Sequence, residues 1–281
     1  SLSPTTPEAR PKRRRFALTP ECTPPNLTYM DRQFKTVKIL GEGCYGVVNE
    51  VECRFSKEKF AIKIFKVDKL KNKSGLNYDR RNLQEVRTHI SIPSHPNLVQ
   101  FYSSWKENTY LCMQMELCEQ SLYDYWKTKR ILSQMDIEDV MKDSLNALAC
   151  LSSLNLVHLD IKPANILRTE QGSYKLADFS VTVNLNKKDL SVDDIGSGRY
   201  AAPELFTNTF SPKADLYSLG ISLSQVSVPS DAPLDEKKEW TALKDGRVPH
   251  RVTNALAGQL DSMVHSMLRE YCARPSAQQL L

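Results

Sequence analysis

The segment His158-Leu159-Asp160-Ile161-Lys162-Pro163-Ala164-Asn165, with Asp178-Phe179-Ser180 shortly after it, decides how this chain is interpreted. It supplies two carboxylates, a lysine and an amide. Phosphoryl transfer from a nucleotide uses such a set, because one carboxylate accepts the proton of the attacking hydroxyl and the other holds a metal ion. The lysine offsets charge on the moving phosphoryl group, and the amide binds a second metal. We therefore predict Asp160 as the base, Lys162 as its charged neighbour, and Asn165 and Asp178 as metal ligands.

A glycine-rich segment lies between two strand-like runs and reads Gly41-Glu42-Gly43-Cys44-Tyr45-Gly46-Val47-Val48. Glycine lets a backbone approach phosphate groups without obstruction by a side chain. A dinucleotide-binding fold would place a helix directly after these glycines, whereas the strand-like run Val47–Cys53 follows here. The pattern therefore argues against that fold and predicts nucleotide contacts from a hairpin loop. The residues expected to contribute are Leu40, Gly41, Glu42, Gly43, Gly46 and Val48.

Lys63 ends the apolar run Phe60-Ala61-Ile62-Lys63. A lysine in such a strand buries its aliphatic stem and directs its ammonium group to one spot. Glu85 lies in a helical pattern and is the expected partner. Glu50 and Glu58 are alternatives, but they lie in or beside the neighbouring strands. We predict an ion pair between Lys63 and Glu85.

The pattern of apolar residues predicts a small β-rich part followed by a larger helical part, which is an α+β arrangement. One helical pattern, at about Tyr78–Ile90, interrupts the strands. The strand-like runs are Phe34–Leu40, Val47–Cys53, Phe60–Phe65, Leu98–Trp105 and Tyr110–Met115. The later helical runs are Met135–Leu154, Pro212–Ser227 and Gly258–Leu268.

Residues 1–30 are rich in Pro, Ser, Thr and Arg, and we expect them to form a disordered tail. Arg10, Lys12, Arg13, Arg14 and Arg15 supply much of the net charge of +5. This basic cluster predicts either a solvated tail or a nuclear-import or docking element. Four Ser/Thr-Pro pairs in the same segment are potential sites for proline-directed kinases.

Composition bounds the compartment and the kind of partner. The chain is 41% hydrophobic and 25% charged, as in an ordinary globular protein. No run of about twenty apolar residues occurs, so no membrane span is expected within it. The seven cysteines are odd in number and scattered, which predicts reduced thiols inside the cell. We expect no nucleic-acid partner.

Five motifs in a fixed order make the chain resemble the protein kinases: the glycine-rich segment, the Lys63 strand, the Asp160 and Asp178 segments and Ala202-Pro203-Glu204. The resemblance implies a kinase domain over residues 31–281. Its N-lobe would span residues 31–115, its hinge residues 116–120 and its C-lobe residues 121–281.

The same resemblance implies that ATP and Mg²⁺ bind between the two lobes. ATP would lie with its adenine against Glu116 and Cys118, beneath Val48 and Ala61. Lys63, braced by Glu85, would hold the α- and β-phosphates. Lys162 is of the type found in kinases that act on Ser and Thr.

Finer residues narrow the resemblance to the Wee/Myt family, and within it to the Myt branch. They are Gln114-Met115-Glu116-Leu117-Cys118, the segment from His158 to Asn165, Gly198-Arg199-Tyr200 and the run from Trp240 to Pro249. That branch comprises the membrane-associated tyrosine- and threonine-specific inhibitory kinases of the mitotic cyclin-dependent kinase. The resemblance implies phosphorylation of a threonine–tyrosine pair in the glycine loop of a cyclin-bound kinase, which blocks entry into mitosis. It also implies the cytoplasmic face of the endoplasmic reticulum or Golgi, through an anchor beyond residue 281. The nucleus is the alternative.

Two residues depart from the usual kinase motifs. Leu159 replaces the arginine that in many kinases pairs with an activation-loop phosphate, and Ser180 replaces the glycine of Asp-Phe-Gly. Two alternatives therefore stay open. The chain is either another Ser/Thr kinase, of the stress-responsive translation-factor type, or a pseudokinase that acts as a scaffold. Ser180 is the only support for a scaffold. The residues that argue against it are the intact Lys63, Asp160, Asn165 and Asp178.

Overall fold

The computed structural model of the chain describes residues 27–43, 46–65, 76–108, 110–186 and 196–281. The side chains of residues 76–81 are not described. Most of the predicted tail, with its basic cluster and Ser/Thr-Pro pairs, lies outside the described residues, as do Cys44 and Tyr45. Helix α1, Tyr29–Gln33, already includes the last two residues of the segment predicted as tail. Thr28 caps this helix by accepting a hydrogen bond from the Asp31 backbone N–H.

An antiparallel five-stranded sheet forms the first part of the fold, with the strand order β1-β2-β3-β5-β4. Its strands are β1 Phe34–Gly43, β2 Gly46–Cys53, β3 Lys59–Phe65, β4 Phe101–Glu107 and β5 Tyr110–Glu116. Helix α2, Leu76–Ser91, lies between β3 and β4 in the chain. The predicted strands and the predicted helix are all present. The predicted β4 is displaced, because Leu98 forms a bridge to Leu176 instead of joining the sheet.

Helices dominate the second part of the fold, as the sequence predicts, and the helical runs expected there correspond to α4, α5 and α8. The helices are α3 Leu122–Lys129, α4 Gln134–Ser153, α5 Pro212–Ser227, α6 Glu239–Lys244, α7 His250–Ala255, α8 Gln259–Met267 and α9 Ala277–Leu280. Short strands complete it: β6 Gln120–Ser121, β7 Leu156–Val157, β8 Ile166–Arg168, β9 Tyr174–Leu176 and β10 Val183–Asn184. Among the described residues, no helix combines the length and apolarity needed to cross a membrane.

Helix α5 passes through the centre of the helical part, and every residue from Ala214 to Ser227 is buried. Its buried serines donate to carbonyl groups of the preceding turn: Ser222 Oγ lies 2.8 Å from the Ser218 oxygen, and Ser224 Oγ lies 2.8 Å from the Gly220 oxygen. These hydrogen bonds remove the cost of burying unpaired hydroxyl groups. Because these hydroxyl groups are paired within the helix, α5 can be buried on all sides.

A buried ion pair connects the end of the Ala202-Pro203-Glu204 segment to the last part of the chain. The Arg274 guanidinium contacts both carboxylate oxygens of Glu204 and donates to the backbone oxygens of Lys213 and Arg269. The side chains of Arg274 and Glu204 are only 1% and 9% exposed. Every donor of the guanidinium therefore has a partner within the protein.

Replacing Arg274 by methionine is expected to destabilise the fold by about 3–5 kcal/mol, because the Glu204 carboxylate would stay buried without its partner. The expected fall in melting temperature is about 10 °C for a domain of this size. Thermal unfolding measures it. Arg247→Met is the matched control, because Arg247 is 72% exposed and pairs with an exposed Asp245. Equal melting temperatures for the two variants would contradict the prediction.

Candidate active site

A cleft of about 610 Å³ separates the five-stranded sheet from the helical part. This volume is typical of sites for small organic ligands. Every residue that the sequence predicts to bind the nucleotide lines the cleft, and so do Lys162 and both predicted metal ligands. The predicted residues along its wall are Leu40, Gly41, Glu42, Gly43, Gly46, Val48, Ala61, Lys63, Glu85, Glu116, Cys118, Lys162, Asn165 and Asp178.

The three glycines of the loop differ in what surrounds them. A Cβ atom on Gly41 or Gly43 would meet nothing within 4 Å, so the space beside their backbone is open to a ligand. A Cβ atom on Gly46 would lie 2.4 Å from the Ile64 oxygen. Gly46 is therefore required by the close packing of β2 against β3. The sequence attributed all three glycines to phosphate contact; all three line the cleft, but only Gly41 and Gly43 have room for a Cβ atom.

Lys63 lies between two acids at the back of the cleft. Its Nζ is 2.6 Å from Glu85 Oε1 and 3.5 Å from Asp178 Oδ1. Burial favours the neutral form of Lys63, but the two carboxylates outweigh it and raise the pKa of Lys63. Burial also raises the pKa of Glu85 to about 7, although Lys63 opposes this change. The predicted pair of Lys63 with Glu85 is therefore present, and α2 lies close against the cleft.

Asp178 has the left-handed backbone conformation, with φ of 65°. Its Oδ1 accepts a hydrogen bond of 3.4 Å from the Ser180 backbone N–H. Burial raises the pKa of Asp178, but Lys63 and Ser180 outweigh burial, so the pKa lies below its usual range and the group is a carboxylate at neutral pH. Ser180 itself has a negative φ, so a serine in this position causes no backbone strain in the observed conformation.

The Asp160 carboxylate is held on both oxygens. Oδ2 accepts from Lys162 Nζ and Asn165 Nδ2, each at 2.8 Å, and Oδ1 accepts from the Ser197 backbone N–H at 2.8 Å. Lys162 Nζ also donates to Ser197 Oγ at 2.8 Å. Gly196 packs directly on the carboxylate, since a Cβ there would lie 2.6 Å from Oδ1. The side chain of Asp160 therefore has a single orientation.

The backbone before Asp160 is fixed by a buried acid on α5. Asp215 accepts hydrogen bonds from the backbone N–H groups of His158 and Leu159, at 2.7 and 2.8 Å. Leu159 has a φ of 65°, a conformation that costs a non-glycine residue about 1–2 kcal/mol. The two bonds to Asp215 offset this cost. The Leu159 side chain is only 3% exposed, so it packs in the core, away from the surface where a phosphate would bind.

The two predicted metal ligands present suitable oxygens to the cleft. Asn165 donates through Nδ2 to the Asp160 backbone oxygen and to Asp160 Oδ2, so its carbonyl oxygen is the atom left for a metal. Asp178 supplies a carboxylate oxygen in the same cleft. Oxygen donors of this kind suit Mg²⁺, which usually takes only one or two protein ligands beside nucleotide phosphates. The donor set therefore fits the predicted metal.

A column of rings joins the two parts of the molecule behind the cleft. Phe179 lies 5.2 Å from the His158 ring and 4.6 Å from the His89 ring, and His89 lies 6.1 Å from Phe101. His89 is 3% exposed, and its Nε2 has no hydrogen-bond partner among the described residues. Burial lowers the pKa of His89 to about 3. His89 is therefore neutral in the folded protein.

This burial predicts an acid sensitivity that His89→Leu removes. Below about pH 6.5 the unfolded chain binds a proton at His89 that the folded chain does not bind, so stability falls as the pH decreases towards 3. The contribution of His89 to this loss between pH 7 and pH 5 is about 2 kcal/mol, and the raised pKa of Glu85 acts in the opposite direction. Urea unfolding at both pH values measures it, and the loss is expected to shrink by that amount in His89→Leu. His250→Leu, at an exposed position, is expected to keep the parent's pH dependence. A His89→Leu variant with the same dependence would contradict the prediction.

Several residues of the cleft were not predicted from the sequence. Val99, Met115, Leu167 and Ala177 supply much of the apolar wall of the cleft. Leu167 follows Asn165 closely and Ala177 precedes Asp178, so proximity to the motifs was the available signal. The Glu116 side chain turns away from the cleft, because its Oε2 lies 3.0 Å from Lys175 Nζ and accepts from the Gln100 N–H.

Comparison with known proteins places the chain in a family. The family model of the protein kinase domain matches residues 34–281. The chain is 33% identical, over 262 residues, to the membrane-associated tyrosine- and threonine-specific cdc2-inhibitory kinase of Drosophila melanogaster, covering 91% of this chain and 48% of that protein. It is 31% identical, over 255 residues, to the kinase of the same description, wee-1.3, of Caenorhabditis briggsae, covering 90% and 38%.

A yeast relative carries a related description. The mitosis inhibitor protein kinase SWE1 of Saccharomyces cerevisiae is 29% identical over 251 residues, which cover 85% of this chain and 30% of that protein. The chain thus spans less than half the length of each of these relatives. These similarities confirm the resemblance to the Wee/Myt kinases, and the two-lobed α+β fold agrees with the matched domain. The chain belongs to the protein kinase family.

Proposed function

We propose that this chain is an ATP- and Mg²⁺-dependent protein kinase that phosphorylates the threonine, the tyrosine, or both, in the glycine loop of a mitotic cyclin-dependent kinase bound to its cyclin. The phosphate would inhibit that kinase and delay mitosis. The observation that carries the catalytic part is the set of contacts among Lys63, Glu85 and Asp178, with Asp160 held beside Lys162 and Asn165. The similarity to two kinases described as cdc2-inhibitory and to one described as a mitosis inhibitor supports the choice of substrate.

In the proposed mechanism Asp160 takes the proton of the attacking hydroxyl at its carboxylate. Ser197 and Gly196 have to move slightly from Oδ1 to admit that hydroxyl, because they cover this oxygen. Lys162, already hydrogen-bonded to Oδ2, offsets charge on the transferred group. Lys63 binds the phosphates that stay on the nucleotide. Asp178 and Asn165 would hold magnesium, which would supply positive charge to offset that of the nucleotide phosphates.

The domain boundaries, the compartment and the partners belong to the same proposal. We assign residues 31–115 to the N-lobe, 116–120 to the hinge and 121–281 to the C-lobe, because β5 ends at Glu116 and α3 begins at Leu122. Two relatives are described as membrane-associated, which supports a place on the cytoplasmic face of endoplasmic reticulum or Golgi membranes. The partner is then the cyclin-dependent kinase with its cyclin.

The deciding experiment incubates the chain with Mg²⁺, ATP and a catalytically dead cyclin-dependent kinase–cyclin complex, and maps the phosphates by mass spectrometry. We expect phosphate in the glycine loop of the substrate. The same complex with both acceptors changed to alanine and phenylalanine is the control and is expected to remain unmodified. Phosphate only at other sites would favour the translation-factor type of kinase. Nucleotide binding without transfer to any protein or peptide would favour the scaffold.

We also predict that activity does not depend on phosphorylation of the activation segment. Leu159 is buried and cannot pair with a phosphate, so such a group lacks the usual partner beside the base, and Arg199 is the local cation left to bind it in the described part of the chain. Of the candidate acceptors, Thr182 is buried, and the Ser197 and Tyr200 hydroxyls already bond Lys162 and Gln225. Ser191 lies outside the described residues.

Phosphatase treatment tests this prediction. The treated enzyme is expected to keep its rate towards the cyclin-dependent kinase complex, with complete dephosphorylation verified by mass spectrometry. A large loss of rate that returns when one of these four residues is phosphorylated again would contradict the prediction.

A further inference from the structure

Arg199 lies beside the place where a protein substrate has to present its hydroxyl. It is two residues after Ser197, whose backbone and side chain contact Asp160 and Lys162. Two residues of chain span at most about 7 Å. The residues that flank an acceptor at Asp160 therefore pass within reach of the Arg199 side chain.

The Arg199 guanidinium stacks on the Trp240 ring. Its Cζ lies 3.8 Å from the centre of the Trp240 ring, and Trp240 itself is only 5% exposed. The Tyr200 ring meets Trp240 edge-on at 5.8 Å, and the Tyr200 hydroxyl donates to Gln225 Oε1 at 2.8 Å. Stacking covers one face of the guanidinium and leaves its N–H edges available. Little side-chain entropy is then lost when these edges bind an anion.

The present partner of this guanidinium is easy to displace. Among the described residues, Arg199 donates one side-chain hydrogen bond, from Nη2 to Glu236 Oε1 at 2.7 Å. The Glu236 side chain is 78% exposed and that of Arg199 is 42% exposed. Exposed ion pairs of this kind contribute about 0–1 kcal/mol. An incoming anionic group that uses both edges of the guanidinium would replace Glu236 at small cost.

We propose that Arg199 is a specificity residue that binds an anionic oxygen group on the protein substrate, close to the acceptor hydroxyl, and that Glu236 occupies it between substrates. The group is either a carboxylate of Asp or Glu or the phosphate of an already phosphorylated neighbour. This inference rests on the proposed kinase function. In a threonine–tyrosine pair, the first phosphate would then favour modification of the second residue.

The test uses three peptides that share one acceptor, with neutral, acidic or phosphorylated neighbours. We expect the wild-type kcat/KM for an anionic peptide to exceed that for the neutral peptide by about tenfold or more, mainly through KM. In Arg199→Gln this ratio is expected to fall to about one, and in Arg199→Lys to an intermediate value. Glu236→Gln removes the competitor and is expected to raise the ratio. Arg247→Gln, an exposed pair elsewhere, is the control and is expected to keep the wild-type ratio.

The outcomes distinguish a phosphate from a carboxylate as the bound group, and they test the role of Arg199 separately from the proposed kinase function. A higher ratio for the phosphorylated peptide identifies phosphate as the group, whereas equal ratios identify acidic side chains. An unchanged ratio in Arg199→Gln, or a wild-type ratio of one, would overturn the assignment. Binding of labelled peptides, measured by fluorescence anisotropy on folded protein, provides an arm without turnover. If neither the peptides nor the cyclin-dependent kinase complex is phosphorylated, the proposed function fails, and the loss of anionic-peptide binding in Arg199→Gln still decides the role of Arg199.

Discussion

Replacing Asp178 by asparagine is expected to reduce phosphoryl transfer by about three powers of ten or more, because a metal-held charge contributes several kcal/mol to such a reaction. The change removes one negative charge and almost no volume. Asparagine adopts the left-handed conformation readily, so the φ of 65° at this position is retained. The fold is therefore expected to stay intact while the metal loses its carboxylate. Initial rates on the cyclin-dependent kinase complex, at saturating Mg²⁺ and ATP, measure the effect.

A matched control separates metal binding from general damage. Asp245→Asn makes the same chemical change at an exposed position, where the side chain pairs with Arg247. It is expected to keep full activity. Both variants are expected to melt within a few degrees of the parent. A folded Asp178→Asn variant with unchanged turnover would disprove the role of Asp178.

The sequence was informative where local pattern determines structure. Alternating and β-branched residues predicted the sheet, since strands bury every second side chain. The long apolar periodicity of α4 and α5 predicted both helices closely. The short helices α6, α7 and α9 were missed, because four to six residues carry too little periodicity. Helix α3 was missed although Ser121 and Asp124 gave a capping signal before its apolar residues.

Tertiary contacts explain why other features could not be predicted. Leu98 left the predicted strand because the Val99 N–H bonds the Leu176 oxygen, a partner far along the chain. Nothing local indicates that Gly46 is needed for packing against β3 or that Glu116 turns towards Lys175. The sequence motifs predicted which side chains would lie together in the cleft. The hydrogen bonds that fix their orientation come from residues that only folding brings close.

Ser197 is the clearest example of such a residue. The sequence could not show that its backbone N–H binds the predicted base. This contact, together with those of Lys162 and Asn165, gives both oxygens of the Asp160 carboxylate a donor. The effect expected of a substitution at Asp160 therefore depends on these three hydrogen-bond donors, whose arrangement the motif alone does not show.

Replacing Asp160 by asparagine is expected to lower kcat by about two to four powers of ten, the usual cost of losing a general base. The amide cannot take the proton of the attacking hydroxyl. Its NH₂ group would also face a donor, because Lys162 and Asn165 approach one oxygen and Ser197 the other. The side chain would then lose the orientation that positions the hydroxyl.

Nucleotide affinity distinguishes this loss from that of Asp178. Asp160 is not among the residues that line the cleft, so Asp160→Asn is expected to bind Mg²⁺–nucleotide with the affinity of the parent. Asp178→Asn is expected to bind it more weakly, since a metal ligand is lost. Titration with a fluorescent nucleotide, with and without Mg²⁺, measures both. Parent-like transfer by a folded Asp160→Asn variant would show that proton removal at this carboxylate does not limit the reaction.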